Sequence, residues 1–266
     1  MSKPYPLLFL LALIASACGN SANTEGDTDD GDVEASYEVV ERLDTPFVGL
    51  EKIAAPDSLM ISYERRHLSY DQPTLILCHQ AGWSRGEYAS TADTLYRLGL
   101  NCILLDQRSG KEVNGVENLT AERAASKKLD QSYEAAEQDM VAMVEWVNEV
   151  YDGEVILVGS SYSAGLALKI AADHPDWVDQ VVAFSPGEYY EGLNLAQSID
   201  KLEVPCFLTS SKKESEEVQK LFEVIDSKKK VQFIPEGDGD HGSRVLWATI
   251  DNNAEYWAAF KRFIGR

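Results

Sequence analysis

Basic side chains are scarce in this chain of 266 residues: 24 Lys and Arg stand against 44 Asp and Glu, a formal net charge of −20. So acidic a body repels phosphate backbones and anionic bilayers, which argues against nucleic-acid binding or electrostatic membrane binding. Cysteine is nearly absent. Apart from Cys18 only Cys78, Cys102 and Cys206 occur, each inside an apolar strand-like run. An odd number on neighbouring parallel strands makes no disulfide framework, and these residues read as small buried core groups. There is no Cys/His spacing suited to zinc, no phosphate-cradling glycine loop and no dinucleotide fingerprint, so neither a metal nor a cofactor is expected. There is no internal repeat, and the N-terminal apolar run is too short to span a bilayer.

That run, Leu7 to Ala15, follows Lys3 and suits the apolar region of a secretory signal. Small residues Ala15, Ser16 and Ala17 lead directly into Cys18. Residues 1–17 therefore resemble a bacterial lipoprotein signal peptide, which implies export to the cell envelope, lipidation of Cys18 and contact with a membrane only through that lipid. Plain secretion is the alternative, since Ala15 stands where leucine is usual. The segment after Cys18, GNSANTEGDTDDGDVEAS, has six acids and no aromatic residue. It buries too little apolar surface to offset its ordering entropy, so 18–36 reads as a disordered tether. Residues 37–266 are left as one domain with 23 basic and 38 acidic side chains, still acidic at −15.

Within this domain strand-like and helix-like runs alternate. LEKIAA and LMISYERRHL, on either side of Pro56, Asp57 and Ser58, predict an opening hairpin. Continuous apolar runs at 74–79, 102–108, 154–159, 180–186, 206–211 and 230–235 predict buried parallel strands. Tyr133, Ala136, Met140, Met143, Val147 and Val150 recur at three- and four-residue spacing and predict an amphipathic helix over about 132–151. Similar patterns cover 87–98, 162–173, 215–226 and 244–264. This alternation specifies an α/β fold, a mostly parallel central sheet with helices on both faces. The connection between the strands ending at 186 and beginning at 206 is too short for a sizeable lid.

The run VILVGSSYSAGLALKIAA places a strand, a tight turn and a small-residue helix in succession. This is the setting in which a serine is exposed on an elbow at the end of a sheet. Ser161 is the candidate nucleophile, with Gly159 and Ser163 at the flanking positions where only small residues fit; Ser163 flanked by Ser161 and Gly165 is the competing register. A serine hydroxyl needs a base, itself oriented by a third group. After the elbow only His174 and His241 occur. His174 ends the helix after the serine, a structural position favoured by the helix dipole, whereas His241 lies in a Gly-rich turn, EGDGDHGSRVLW.

On these motifs residues 50–266 resemble the α/β-hydrolase family, in particular its lidless members of the dienelactone-hydrolase or esterase type. The resemblance implies a triad in the chain order Ser, acid, His, with Ser161 as nucleophile, Glu214 as acid and His241 as base. Glu216 and Glu217 stand close behind Glu214, and Glu188 is the fallback position. Asp240, adjacent to His241, is poorly placed to reach its ring. The resemblance further implies backbone N–H donors for an oxyanion from Tyr162 and from Ala81 in the loop HQAGWSRGEY, where Gln80 stands in the place of a usual glycine. His79 and the turn Asp106–Gly110 read as structural, and Trp83, Tyr162, Tyr189 and Tyr190 as pocket lining or ordinary packing. The implied activity is hydrolysis of a small-molecule ester through an acyl-enzyme. A peptidase or amidase with the same triad and a non-catalytic binding protein on the same fold are the alternatives.

Overall fold

The apolar runs become the strands of one eight-stranded sheet in the computed structural model, which describes residues 44–266. The signal segment, Cys18 and the acidic tether lie outside the described residues. In chain order the elements are β1 (Phe47–Ala54), β2 (Met60–His67), β3 (Thr74–Cys78), α1 (Ala89–Arg97), β4 (Asn101–Leu105), α2 (Leu119–Ser126), α3 (Glu137–Val150), β5 (Val155–Ser160), α4 (Tyr162–Asp173), β6 (Gln180–Phe184), α5 (Leu195–Ser198), β7 (Cys206–Thr209), α6 (Ser215–Val224), β8 (Lys230–Phe233) and α7 (Asn253–Phe263). The hairpin β1–β2 turns as expected: Ser58 takes φ 66°, and Asp57 accepts the Leu59 N–H at 3.1 Å.

The sheet order is β1-β2-β4-β3-β5-β6-β7-β8, antiparallel from β1 to β4 and parallel from there on. After β3 the chain adds β4 on one side and then crosses back to add β5 on the other. The winding reverses at β3, and loops leaving the C-terminal ends of strands at such a switch point diverge and leave a crevice. Cys78 pairs with Gly159 in the parallel register, so the loops following β3 and β5 leave the sheet side by side.

Strand side chains alternate between two cores. Ile76, Cys78, Leu157, Val181, Ala183 and Leu208 pack under α3, α4, α5 and α6. Leu77, Leu104, Val158, Val182 and Phe207 face the other way, beneath α1 and α7. Burial on both faces is why these strands read as continuous apolar runs rather than alternating ones. Cys78, Cys102 and Cys206 are free and buried. Among the described residues no helix is long and apolar enough to cross a membrane.

Several helix limits differ from the sequence reading. The helix expected over 132–151 spans Glu137–Val150, because 132–136 form a turn in which Tyr133 still packs on the core. The helix expected from 244 begins at Asn253; Gly242–Leu246 is instead a 3₁₀ turn whose Val245 and Leu246 continue the apolar pattern without continuing the helix. The helix expected over 87–98 begins at Ala89, after a 3₁₀ turn, Arg85–Tyr88. That expected over 215–226 ends at Val224. The short α2 and α5 were not expected, and α5 is the one helix in the connection between β6 and β7.

Candidate active site

Ser161 is the single residue between β5 and α4, at φ 59° and ψ −121°. A left-handed backbone is costly for a residue with a Cβ and persists only where the surroundings impose it. Here the Ser161 N–H donates to Phe184 O on the neighbouring strand at 2.8 Å, and Ser161 O accepts the first helical N–H from Ala164 at 3.0 Å. Ser161 occupies the N-cap position of α4, yet its side chain makes no capping hydrogen bond; its hydroxyl is turned to His241. Gly159 permits the turn, since a Cβ there would lie 2.3 Å from Ser163 O and 2.5 Å from Ala164 Cα, both backbone atoms. Gly159→Ala is therefore expected to destabilise the fold by about 2 kcal/mol or more, read as a lower urea midpoint at unchanged m. A midpoint equal to wild type would disprove the close packing.

The hydroxyls of Ser161 and Ser163, the two competing registers, have different partners. Ser163 is fully buried, its Oγ 2.8 Å from Cys78 O and accepting the Ser160 N–H at 2.9 Å, so it ties β3 to the elbow. Ser161 Oγ lies 2.8 Å from His241 Nε2, and His241 Nδ1 lies 2.5 Å from Glu214 Oε1. The other Glu214 oxygen accepts from Ser185 Oγ at 2.9 Å, Ser211 Oγ at 2.8 Å and Ser211 N at 3.2 Å. Burial alone would raise the Glu214 carboxyl, but hydrogen bonds from His241, Ser211 and Ser185, with the His241 charge, bring it down to about 2. His241 is raised above the ordinary histidine value, chiefly by its hydrogen bond to Glu214 and against the effect of burial. The result is a serine hydroxyl in contact with an imidazole whose other ring nitrogen meets a carboxylate that stays ionised down to about 2.

The other candidate acids are placed elsewhere. Glu188 accepts the N–H groups of Leu195 and Ala196 at the start of α5, at 2.8 and 3.0 Å. Glu216 and Glu217 are exposed on the first turn of α6. Asp240 accepts the backbone N–H of His241 at 2.7 Å and pairs with Arg244 at 3.1 Å, away from the ring nitrogens. Tyr162 is the first residue of α4, where a backbone N–H has no intrahelical acceptor and carries the positive end of the helix dipole. Ala81 follows β3 on the adjacent loop, half-buried against the core.

His79 is fully buried, with Nδ1 2.8 Å from Gln80 O and Nε2 accepting the Gln107 N–H at 3.1 Å; burial lowers its pKa and it acts as a loop anchor. His174 stacks on Trp177 at the end of α4. In the Asp106–Gly110 turn, Asp106 accepts from Arg85 N and Leu119 N, and Arg108 is paired with Asp139 and Asp57. Of the four aromatics, Tyr162 is packing, buried and stacked on Tyr133, and Tyr190 donates to Tyr162 O. Trp83 stacks on Trp247, while Tyr189 is partly exposed and donates to Ser185 O at 3.2 Å. Among the described residues no group of three or more His, Cys, Asp or Glu side chains is arranged to hold a metal.

Two site residues were missed in the sequence. Ser185, at φ 52° after β6, donates to Glu214 and accepts the Gly242 N–H at 2.9 Å, joining the acid to the histidine loop. Glu87 is a fully buried carboxylate contacting the strand that leads to Ser161 and the loop that carries His241. No local pattern marks either one, since their partners are brought close only by the sheet.

The sheet order, the elbow after β5 and the late histidine loop together define the α/β-hydrolase fold. No protein-family model and no curated protein matches the chain. Solved structures do: an esterase of Pyrococcus furiosus aligns with a TM-score of 0.63 at 15% identity, over 83% of this chain and 91% of that one. A dienelactone hydrolase from Anabaena variabilis aligns with a TM-score of 0.65 at 14% identity, over 83% and 97%. A monoacylglycerol lipase from Paleococcus ferrophilus aligns with a TM-score of 0.56 at 14% identity, over 77% and 98%. At these identities the likeness is one of fold.

Proposed function

We propose that this protein is a serine hydrolase of carboxylic esters acting through an acyl-enzyme. The observation that carries the reading is the unbroken chain from Ser161 Oγ through His241 to Glu214, with contacts of 2.8 and 2.5 Å. Ser161 attacks the ester carbonyl as His241 Nε2 takes its proton; the tetrahedral intermediate collapses when His241 returns that proton to the departing alcohol. Water then repeats the sequence on the acyl-serine and releases the acid. Glu214 holds the imidazole with Nδ1 as donor and offsets its charge when protonated. The N–H groups of Tyr162 and Ala81 are assigned to the oxyanion. The ester class is drawn from the esterases and lipase that share the fold, and an amide remains the competing substrate because the same groups cleave both. The lipid anchor at Cys18 and export to the envelope are likewise proposed, on the N-terminal sequence alone.

Fluorophosphonate treatment of the folded protein, followed by peptide mapping, tests the reading. An adduct is expected on Ser161 in wild type and in Ser163→Ala, and no adduct in Ser161→Ala, where an adduct on Ser163 would move the nucleophile by two residues. A folded protein that forms no adduct under conditions that label a control esterase would sink the proposal in favour of a binding protein. Faster turnover of an amide than of the matched ester would move the substrate class.

A further inference from the structure

Glu87 is 0% exposed, and among the described residues no lysine or arginine forms an ion pair with it. Its Oε1 accepts the Ser160 hydroxyl at 2.7 Å and the Ser243 hydroxyl at 2.6 Å, and its Oε2 accepts the Gln80 N–H at 2.6 Å. These donors belong to three different segments of the site. Ser160 immediately precedes the nucleophile, Ser243 lies two residues after His241, and Gln80 immediately precedes Ala81. The segments are cross-linked further: Ser243 N donates to Ser160 Oγ at 2.9 Å, and the Trp247 indole N–H donates to Glu87 O at 2.9 Å. Gly242 lets the histidine loop settle here, since a Cβ on it would come 2.6 Å from Ser160 Oγ.

A buried carboxylate with three donors and no paired cation is costly to ionise, so it takes up a proton more readily than an exposed one, and its ionised form is favoured when a neighbour gains positive charge. The titratable groups around Glu87 are Cys78 on β3, Tyr88 beside it in the chain, and His241. Burial holds the Cys78 thiol and the Tyr88 hydroxyl far above their usual values, so both stay neutral. His241 alone becomes a cation, and it does so when it takes the Ser161 proton. The carboxylate charges that act on His241 are Glu214, in contact with its ring, and, without ring contact, Glu87 and Asp240.

We propose that Glu87 is a positioning residue of the hydrolase, holding the nucleophile strand, the oxyanion loop and the histidine loop in register and stabilising the protonated His241 with its buried charge. The inference rests on the serine-hydrolase reading above. Desolvation raises Glu87 to about 7 despite its three donors, so Glu87 and His241 exchange protons over overlapping pH ranges, and the Glu87 charge is fully present only above that range.

The test is the pH dependence of the second-order rate of fluorophosphonate inactivation, in wild type and Glu87→Gln. Glutamine keeps the shape but must turn an NH₂ toward either the Gln80 N–H or the two hydroxyls, losing an acceptor and the charge. The plateau rate is expected to fall roughly 10- to 100-fold, and the midpoint of the acid limb to move down by about 0.5 to 1 pH unit, because His241 loses a supporting anion. A residue that served the fold alone would lower the plateau and leave the midpoint in place. Wild-type labelling with an unmoved midpoint in folded Glu87→Gln overturns the Glu87 inference alone; a wild type that does not react overturns the hydrolase reading as well. Should Glu87→Gln not fold, Ser243→Ala decides: it keeps the backbone donor and removes one tie, so inactivation is expected to slow about 5- to 10-fold, and a wild-type rate overturns the inference.

Discussion

Alanine at position 161 is expected to lower kcat/KM for an activated ester by roughly 10⁵-fold or more, while the fold is kept. That is about 7 kcal/mol of transition-state stabilisation from one oxygen atom. The size follows from the role: the hydroxyl forms the covalent bond, and no other group stands in its place. Ser163 cannot substitute, because its hydroxyl is fully buried between Cys78 O and Ser160 N–H. Stability should change by no more than about 1 kcal/mol, since the side chain is small and its hydroxyl bonds to the partly exposed His241. His241→Ala should cost a similar factor, and the double variant little more, as groups acting in one step are not additive. Steady-state hydrolysis with each variant, alongside thermal unfolding, measures both quantities. A Ser161→Ala protein retaining a tenth of wild-type activity would show that the reaction does not pass through this oxygen.

How much of this was legible in the sequence depends on how local each signal is. Five of the six parallel strands were readable because burial on both faces leaves continuous apolar runs, and the elbow because glycine, serine and a small-residue helix follow one another directly. The sixth, β8, was expected to be buried but is a half-exposed edge strand, with Val231 44% exposed. Helix starts were harder. Val245 and Leu246 extend the period of α7 backward through a 3₁₀ turn, since a side chain can face the core from either conformation. The choice between Ser161 and Ser163 stayed open in the sequence, as both lie within small-residue surroundings; only the partner of each hydroxyl separates them. Glu214 was reached through resemblance, and nothing in SKKESEE itself distinguishes it from Glu216 or Glu217. Glu87 was invisible. In GEYAS it looks like a surface acid in the first turn of a helix, and its hydroxyl partners stand 73 and 156 residues away.

Glu214→Gln is expected to lower kcat/KM by about 10⁴-fold, the cost when a triad acid is replaced by its amide and the imidazole is held in the wrong tautomer. A glutamine NH₂ facing Nδ1 makes that nitrogen an acceptor, so Nε2 carries the proton and cannot take one from Ser161. The pH profile carries the second signature. In wild type Glu214 stays ionised down to about 2, so the acid limb near neutrality belongs to His241, coupled to Glu87. His241 is raised in the folded protein and works as a base only when unprotonated. Activity must therefore rise with pH through a midpoint above the ordinary histidine value of about 6.5. With Glu214 neutral, the largest upward contribution is gone and burial lowers the ring, so the midpoint should fall below that value. The displacement should exceed that in Glu87→Gln, because Glu214 touches the ring at 2.5 Å whereas Glu87 is tied to the histidine loop through Ser243. Equal shifts in the two variants, or a larger one in Glu87→Gln, would reverse the assignment of which carboxylate governs the base.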